Sequence, residues 1–174
     1  MRRFDTAEEL RAAAGSGELQ NVFGLDYTAV VQEYHPTRGS SIVRVEVLDG
    51  HFLYAIRIHN DPSQGFNLCP ADICQVEDTS PTVAAAKNPL KIEPASPPGW
   101  VIDGVLRIFQ AGGLDIGVVE YLESERDGEI YLYDVNALSN FVTDAPRLVG
   151  FDPFVRFVDY LEQRVGRASE ALAS

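Results

Sequence analysis

The sequence predicts an α+β domain, on three observations. Two pairs of apolar runs in alternation flank glycine turns, one at Asp49-Gly50 and one in ESERDG at 123–128, which is the pattern of antiparallel hairpins. Two longer stretches, 99–113 and 152–166, repeat their apolar residues at the helical period instead. With 174 residues, 45% of them hydrophobic, the chain has the apolar content to bury one core without disulfide staples.

Taken in order, Asp5 followed by Glu8 forms a capping box ahead of AEELRAAA and predicts a helix to about Gly15. YTAVVQEY, SIVRVEVL and HFLYAIRI read as strands, the last two joined by the Asp49-Gly50 turn. A two-residue loop pairs Leu48 with His51, which sets Val43, Val45 and Val47 on one face with Phe52, Tyr54 and Ile56, and puts Arg44, Glu46 and Arg57 on the other. From 61 to 98 the chain is rich in Pro, Ser and Thr and reads as a loop or crossover. Val101, Val105, Ile108 and Phe109 predict a helix from Gly99 that Gly112-Gly113 can cap. After the second hairpin, Asp152 and Pro153 open a last helix that carries Phe154, Val155, Val158, Leu161 and Val165 on one stripe, stops at Gly166 and leaves ASEALAS to fray. The expected organisation is a strand and hairpin over 4–60, the Pro-rich segment over 61–98, and helix, hairpin and terminal helix over 99–165, with room for two lobes.

Charge narrows the partners. Fourteen Lys+Arg against 26 Asp+Glu leave a net charge of -12, which repels a phosphate backbone and argues against nucleic acid as a main partner. No run of about 18 apolar residues spans a bilayer, and MRRFDTAEEL turns acidic before a signal-peptide core forms, so the expected setting is cytoplasmic and away from membranes. Cys69 and Cys74 lack the second pair that a zinc site or disulfide framework needs, and read as reduced and structural. His35, His51 and His59 show no i,i+4 pairing and read as surface residues.

The second hairpin carries the chemistry. In EIYLYDVN, Asp134 and Asn136 stand two residues apart and share a face. A two-residue loop, Asp127-Gly128, sets Glu120 opposite Val135 and away from Asp134; a three-residue loop, Arg126-Asp127-Gly128 with Gly128 left-handed, sets Glu120 across from Asp134. In the first register the carboxylates face solvent independently. In the second, like charges converge with an amide oxygen, an arrangement that calls for a hard cation, magnesium by preference, and hence for phosphate chemistry.

GLDIGVVEYLESERDGEIYLYDVNALSNF resembles the strand, glycine turn and acid-spacer-asparagine strand of the ATP-grasp ligases. That family includes D-alanyl-D-alanine ligase, glutathione synthetase and the ligases that add glutamate to a ribosomal protein. The resemblance covers residues 4 to 165 and corresponds to the C-terminal half of a complete ligase. It implies an ATP-grasp-like fold, ATP and Mg2+ as cofactors, magnesium ligands at Glu120, Asp134 and Asn136, and a reaction in which ATP phosphorylates a carboxylate that an amine then attacks. VVQEYHP is similar to the family's adenine hinge, which makes Gln32, Glu33, Tyr34 and His35 nucleotide-binding candidates. Arg44 and Arg57 resemble two arginines of the glutamate-adding ligases and are the catalytic candidates, on the expectation that both lie on one polar face. Asn67 in FNLCPAD falls near a family asparagine. The implied partners are ATP and a small carboxylate or peptide, together with a missing N-terminal half.

Two departures accompany the resemblance. Ala137 to Asn140 replace the family's serine-proline-glycine turn. The lysines are Lys87 and Lys91 alone, and no GxGxxG is present, so the isolated chain is expected to be inactive. The alternative reading is a non-catalytic module, derived from such a ligase, that binds nucleotide, metal or a partner.

Overall fold

SIVRVEVL alternates β-branched and charged residues, and its strand is buried along its whole length because it has a neighbour on each edge and a layer on each face. The computed structural model describes residues 2–21, 28–60, 91–139, 141–142 and 145–173. They form two compact units, Met1–Pro36 and Thr37–Ser174.

In the first unit, α1 (Ala7–Gly15) is capped by Thr6, whose side chain accepts from the Glu9 amide at 3.2 Å, while Glu9 Oε2 accepts from the Asp5 amide at 2.9 Å. The cap thus sits one residue later than expected: the Thr6 hydroxyl reaches the third helical amide, while Glu9 reaches back to Asp5, the residue before the cap. A short 3-10 turn (Glu18–Asn21) follows. Residues 28–36 form no strand, contrary to the reading of YTAVVQEY.

The second unit holds an antiparallel sheet in the order β3-β2-β1-β4-β5, made by β1 (Ser41–Leu48), β2 (His51–His59), β3 (Lys91–Pro94), β4 (Ile116–Glu123) and β5 (Ile130–Asn136). Both edges of β1 are taken, by β2 and by β4. β3 falls in the segment expected as loop; Ile92 packs against the core opposite Ile58, and Pro94 ends the strand on the sheet edge. Residues 61–90, with Asn67, both cysteines and Lys87, lie outside the described residues.

One face of the sheet is covered by α2 (Gly99–Gly112), whose Val101, Val105 and Phe109 stand four residues apart and pack on Val43, Val45, Val47, Ala55, Val119 and Tyr121. Gly113, left-handed at φ 62°, ends the helix as expected. The other face carries Ile42, Tyr54, Ile56, Ile58 and Leu122 beneath Phe141, Val142 and Ala145, with Tyr54 and Phe141 rings 6.4 Å apart. Phe141 continues edge-on to Phe154 at 5.3 Å and Phe157 at 6.2 Å.

A short helix, α3 (Ala145–Val149), precedes α4 (Pro153–Ala173). Asp152 caps α4 by accepting from the Phe154 amide. α4 runs through Gly166 rather than stopping there, because ASEALA is rich in strong helix formers and one interior glycine costs only about 1 kcal/mol. Its stripe of Phe154, Val155, Val158, Leu161 and Val165 is exposed. Among the described residues, no helix is long and apolar enough to cross a membrane.

Candidate metal and phosphate site

Two β-bulges decide what the sheet brings together. In the first hairpin Val47 pairs with Phe52 but Glu46 with Tyr54, so Leu53 is an extra residue. Beyond it every partner shifts: Arg44 lies opposite Ile56, and Arg57 lies opposite Val43 on the α2 face. The expectation that Arg44 and Arg57 share one polar face is therefore wrong, because a one-residue bulge exchanges the faces of all following residues. Arg57 bonds Ser41 Oγ at 3.0 Å instead.

In the second hairpin the turn is longer than either expected loop. Ser124 N bonds Glu129 O and Gly128 N bonds Ser124 O, with Gly128 left-handed at φ 77°. That register would pair Glu120 with Tyr133; a bulge at Tyr133 corrects it, and Glu120 lies across from Asp134. The convergence expected from a three-residue loop is thus reached by a different route. Gly117 permits the close approach of β5, since a Cβ there would stand 2.2 Å from the Asn136 carbonyl oxygen at a φ of +153°.

The result is two adjacent rows across the sheet. One reads Ile56, Arg44, Glu120, Asp134, and the next Tyr54, Glu46, Val118, Asn136. Glu46, Glu120 and Arg44 are 0%, 2% and 7% exposed. Arg44 Nε donates to Glu46 Oε1 at 2.7 Å, and its Nη1 stands 3.8 Å from Glu120 Oε1. Tyr133 Oη donates to Glu120 Oε2 at 2.8 Å, and Ser139 Oγ donates to Glu46 Oε2. Asn136 Nδ2 donates to Asp134 Oδ2 at 2.6 Å, at the solvent end of the row.

Burial pushes both buried glutamates above the usual carboxylate range. For Glu46, Arg44 and the Ser139 hydroxyl oppose the rise. For Glu120, the Tyr133 hydroxyl and Arg44 oppose it, while the charges of Asp134 and Glu46 add to it. Two carboxylates, Glu46 and Glu120, thus flank one guanidinium, and Glu120 and Asp134 repel each other across the strand pair. This donor set fits a hard cation: two carboxylates and one amide, all oxygen donors when the amide turns its oxygen inward. Among the described residues no three of His, Cys, Asp and Glu gather to hold a metal.

Gln32, Glu33, Tyr34 and His35 belong to the first unit, where Arg3 stacks over the Tyr34 ring at 4.1 Å and His35 Nε2 stands 3.7 Å from Glu33. His35 and His59 are half-buried rather than superficial, and His59 pairs with Glu93 at 2.8 Å. Sequence reasoning missed Glu46, Tyr133 and Ser139 as members of the network. The spacing of Arg44 and Glu46 signalled a shared face, whereas Ser139 is 93 residues from Glu46 and carried no local signal.

Comparison with solved structures finds ATP-grasp ligases as neighbours of this α+β fold. The chain is similar to ATP-grasp ligase PsnB complexed with minimal precursor, with a TM-score of 0.48 and 21% identity over 70% of this chain and 32% of that chain. It is similar also to PsnB complexed with a phosphomimetic variant of minimal precursor, Mg and ADP, at 0.47 and 21%, over 70% and 31%. A third is macrocyclase MdnC bound with precursor peptide MdnA from Microcystis aeruginosa MRC, at 0.39 and 14%, over 61% and 27%. The chain spans about a third of the length of these proteins, or less. No protein-family model and no curated protein sequence matches it.

Proposed function

We propose that the chain is part of an ATP- and magnesium-dependent ligase that joins a carboxylate to an amine through an acyl phosphate. Glu120, Asp134 and Asn136 are the magnesium ligands in this reading, and Arg44 is the cation beside them. The observation that carries it is the cross-strand row in which Arg44, Glu120 and Asp134 lie side by side with Asn136 two residues on. Opposed carboxylates in a sheet cost stability unless a positive charge joins them, and magnesium takes such ligands while leaving positions for phosphate oxygens. When bound, the metal supplies charge neutralisation on the transferring phosphoryl group.

The chain's own residues do the rest. Tyr133 holds one oxygen of Glu120 and favours its ionised form against the effect of burial. Arg44 is held on its Nε edge by Glu46 and turns Nη1 toward Glu120, where a phosphate oxygen would be received. In the reaction the γ-phosphoryl group moves from ATP to a carboxylate oxygen with release of ADP; the amine nitrogen then displaces phosphate and loses a proton. No side-chain nucleophile is required. Gln32, Glu33, Tyr34, His35 and Asn67 are the nucleotide-binding candidates in this reading, and the second substrate is a small carboxylate or a peptide.

Titration calorimetry of the full chain with AMPPNP, with and without magnesium, tests this reading. Asp134→Asn is expected to weaken magnesium-dependent binding at least about tenfold, the value of one charge-assisted contact. Identical heats with and without the metal in the unmodified chain would sink the reading. The second reading, a module that binds without turnover, is favoured by the burial of Arg44 between two carboxylates. ADP release from ATP, assayed with carboxylate and amine supplied, separates the two.

A further inference from the structure

Glu46 has no place in the ligand set above, yet its side chain is fully buried, with both oxygens engaged. Its Oε1 accepts from Arg44 Nε on the same strand, at 2.7 Å. Its Oε2 accepts from Ser139, which leaves β5 three residues after Asn136. One carboxylate therefore touches both the Arg44 guanidinium and the turn that follows β5. Withdrawing a carboxylate from water is costly, and the cost is offset only where a counter-charge and hydrogen bonds fill its lone pairs. A hydrophobic residue of the same volume would fill the space more cheaply, as Ile56 does on the neighbouring strand. What a hydrophobic residue cannot do is select one edge of the guanidinium. By occupying Nε, Glu46 leaves the Nη edge directed along the row toward Glu120.

We infer that Glu46 is a positioning residue that couples the orientation of Arg44 to the conformation of the turn at 137–139. Its consequence for ligand binding rests on the function proposed above; the coupling itself does not.

Hydrogen exchange at the Arg44 Nε–H, followed by nitrogen-15 NMR of the full chain, measures the coupling without any ligand. Glu46→Leu is expected to speed that exchange about tenfold or more, the share of a buried hydrogen bond to a charged group. Glu46→Gln keeps an oxygen for Arg44 and lets its amide donate to a reoriented Ser139 hydroxyl, so exchange stays within about threefold of the unmodified chain. Ser139→Ala, at a half-buried position, raises it about two- to tenfold. Unchanged Arg44 exchange in Ser139→Ala, or Glu46→Leu as protected as the parent, overturns the inference. Should Glu46→Leu fail to fold, the Ser139 and Gln variants decide. A second arm titrates magnesium with AMPPNP: Glu46→Gln retains affinity within about threefold and Glu46→Leu loses about tenfold. A parent chain that binds no nucleotide defeats the proposed function and leaves the exchange arm to judge the coupling.

Discussion

The two faces of the sheet use alternate residues of the same strands and stay buried by different means. Under α2, Val43, Val45, Val47 and Val119 meet Val101, Val105 and Phe109, and any of these apolar groups can pack on any other. On the opposite face Ile42, Ile56 and Ile58 share the surface with Arg44, Glu46 and Glu120, whose burial depends on particular atoms meeting: Nε with Oε1, Tyr133 Oη with Oε2. The apolar face specifies a layer. The polar one specifies a register, and both bulges act on it, at Leu53 and at Tyr133.

Removing the cation should separate the faces most sharply. Arg44→Met leaves Glu46 and Glu120 buried without their counter-charge, and urea denaturation at neutral pH is expected to show a loss of about 3–5 kcal/mol. Phe109→Ala opens a cavity on the α2 face at a cost of about 3–5 kcal/mol. The two are told apart by acid: the Arg44→Met loss shrinks as pH falls and the glutamates protonate, while the Phe109→Ala loss does not.

A smaller effect follows from the glutamates themselves. Both have folded-state pKa values raised by burial. Their contribution to stability is fully present below the ordinary glutamate range, where folded and unfolded forms are both protonated, and is lost as pH rises through the raised values. Thermal melts across that window should decline with pH in the parent chain and decline less in Glu46→Gln, which cannot ionise; equal slopes would show that Glu46 is not one of the groups responsible. The smallest expected change is at the rim, where Arg38 pairs with Glu123 in solvent. Arg38→Ala should cost about 0.2–1 kcal/mol, diminishing in salt.

How much of this was legible differs between hairpins and helices. Asp49-Gly50 placed Leu48 opposite His51, as alternation and turn chemistry require, yet the bulge three residues after the turn was silent in sequence and moved Arg57 to the other face. For ESERDG the left-handed glycine was readable, but the turn length was not, and the Glu120 and Asp134 pairing was reached through Tyr133. Segment 99–113 needed only its period and its glycines. The stripe on α4 was readable as a stripe but not as an exposed one, since periodicity marks which residues share a face and not what covers it.

The amino-acid sequence by itself determined the two hairpins, the helices at 7–15 and 99–112, the start of the last helix and the chemical types in the acidic strand pair, because turn residues and apolar periods act over a few neighbours. Only the tertiary structure decided that Arg44 joins Glu120 and Asp134 while Arg57 does not, and that Ser139 closes on Glu46. Those meetings depend on the summed register of paired strands, where one extra residue reverses every side chain beyond it.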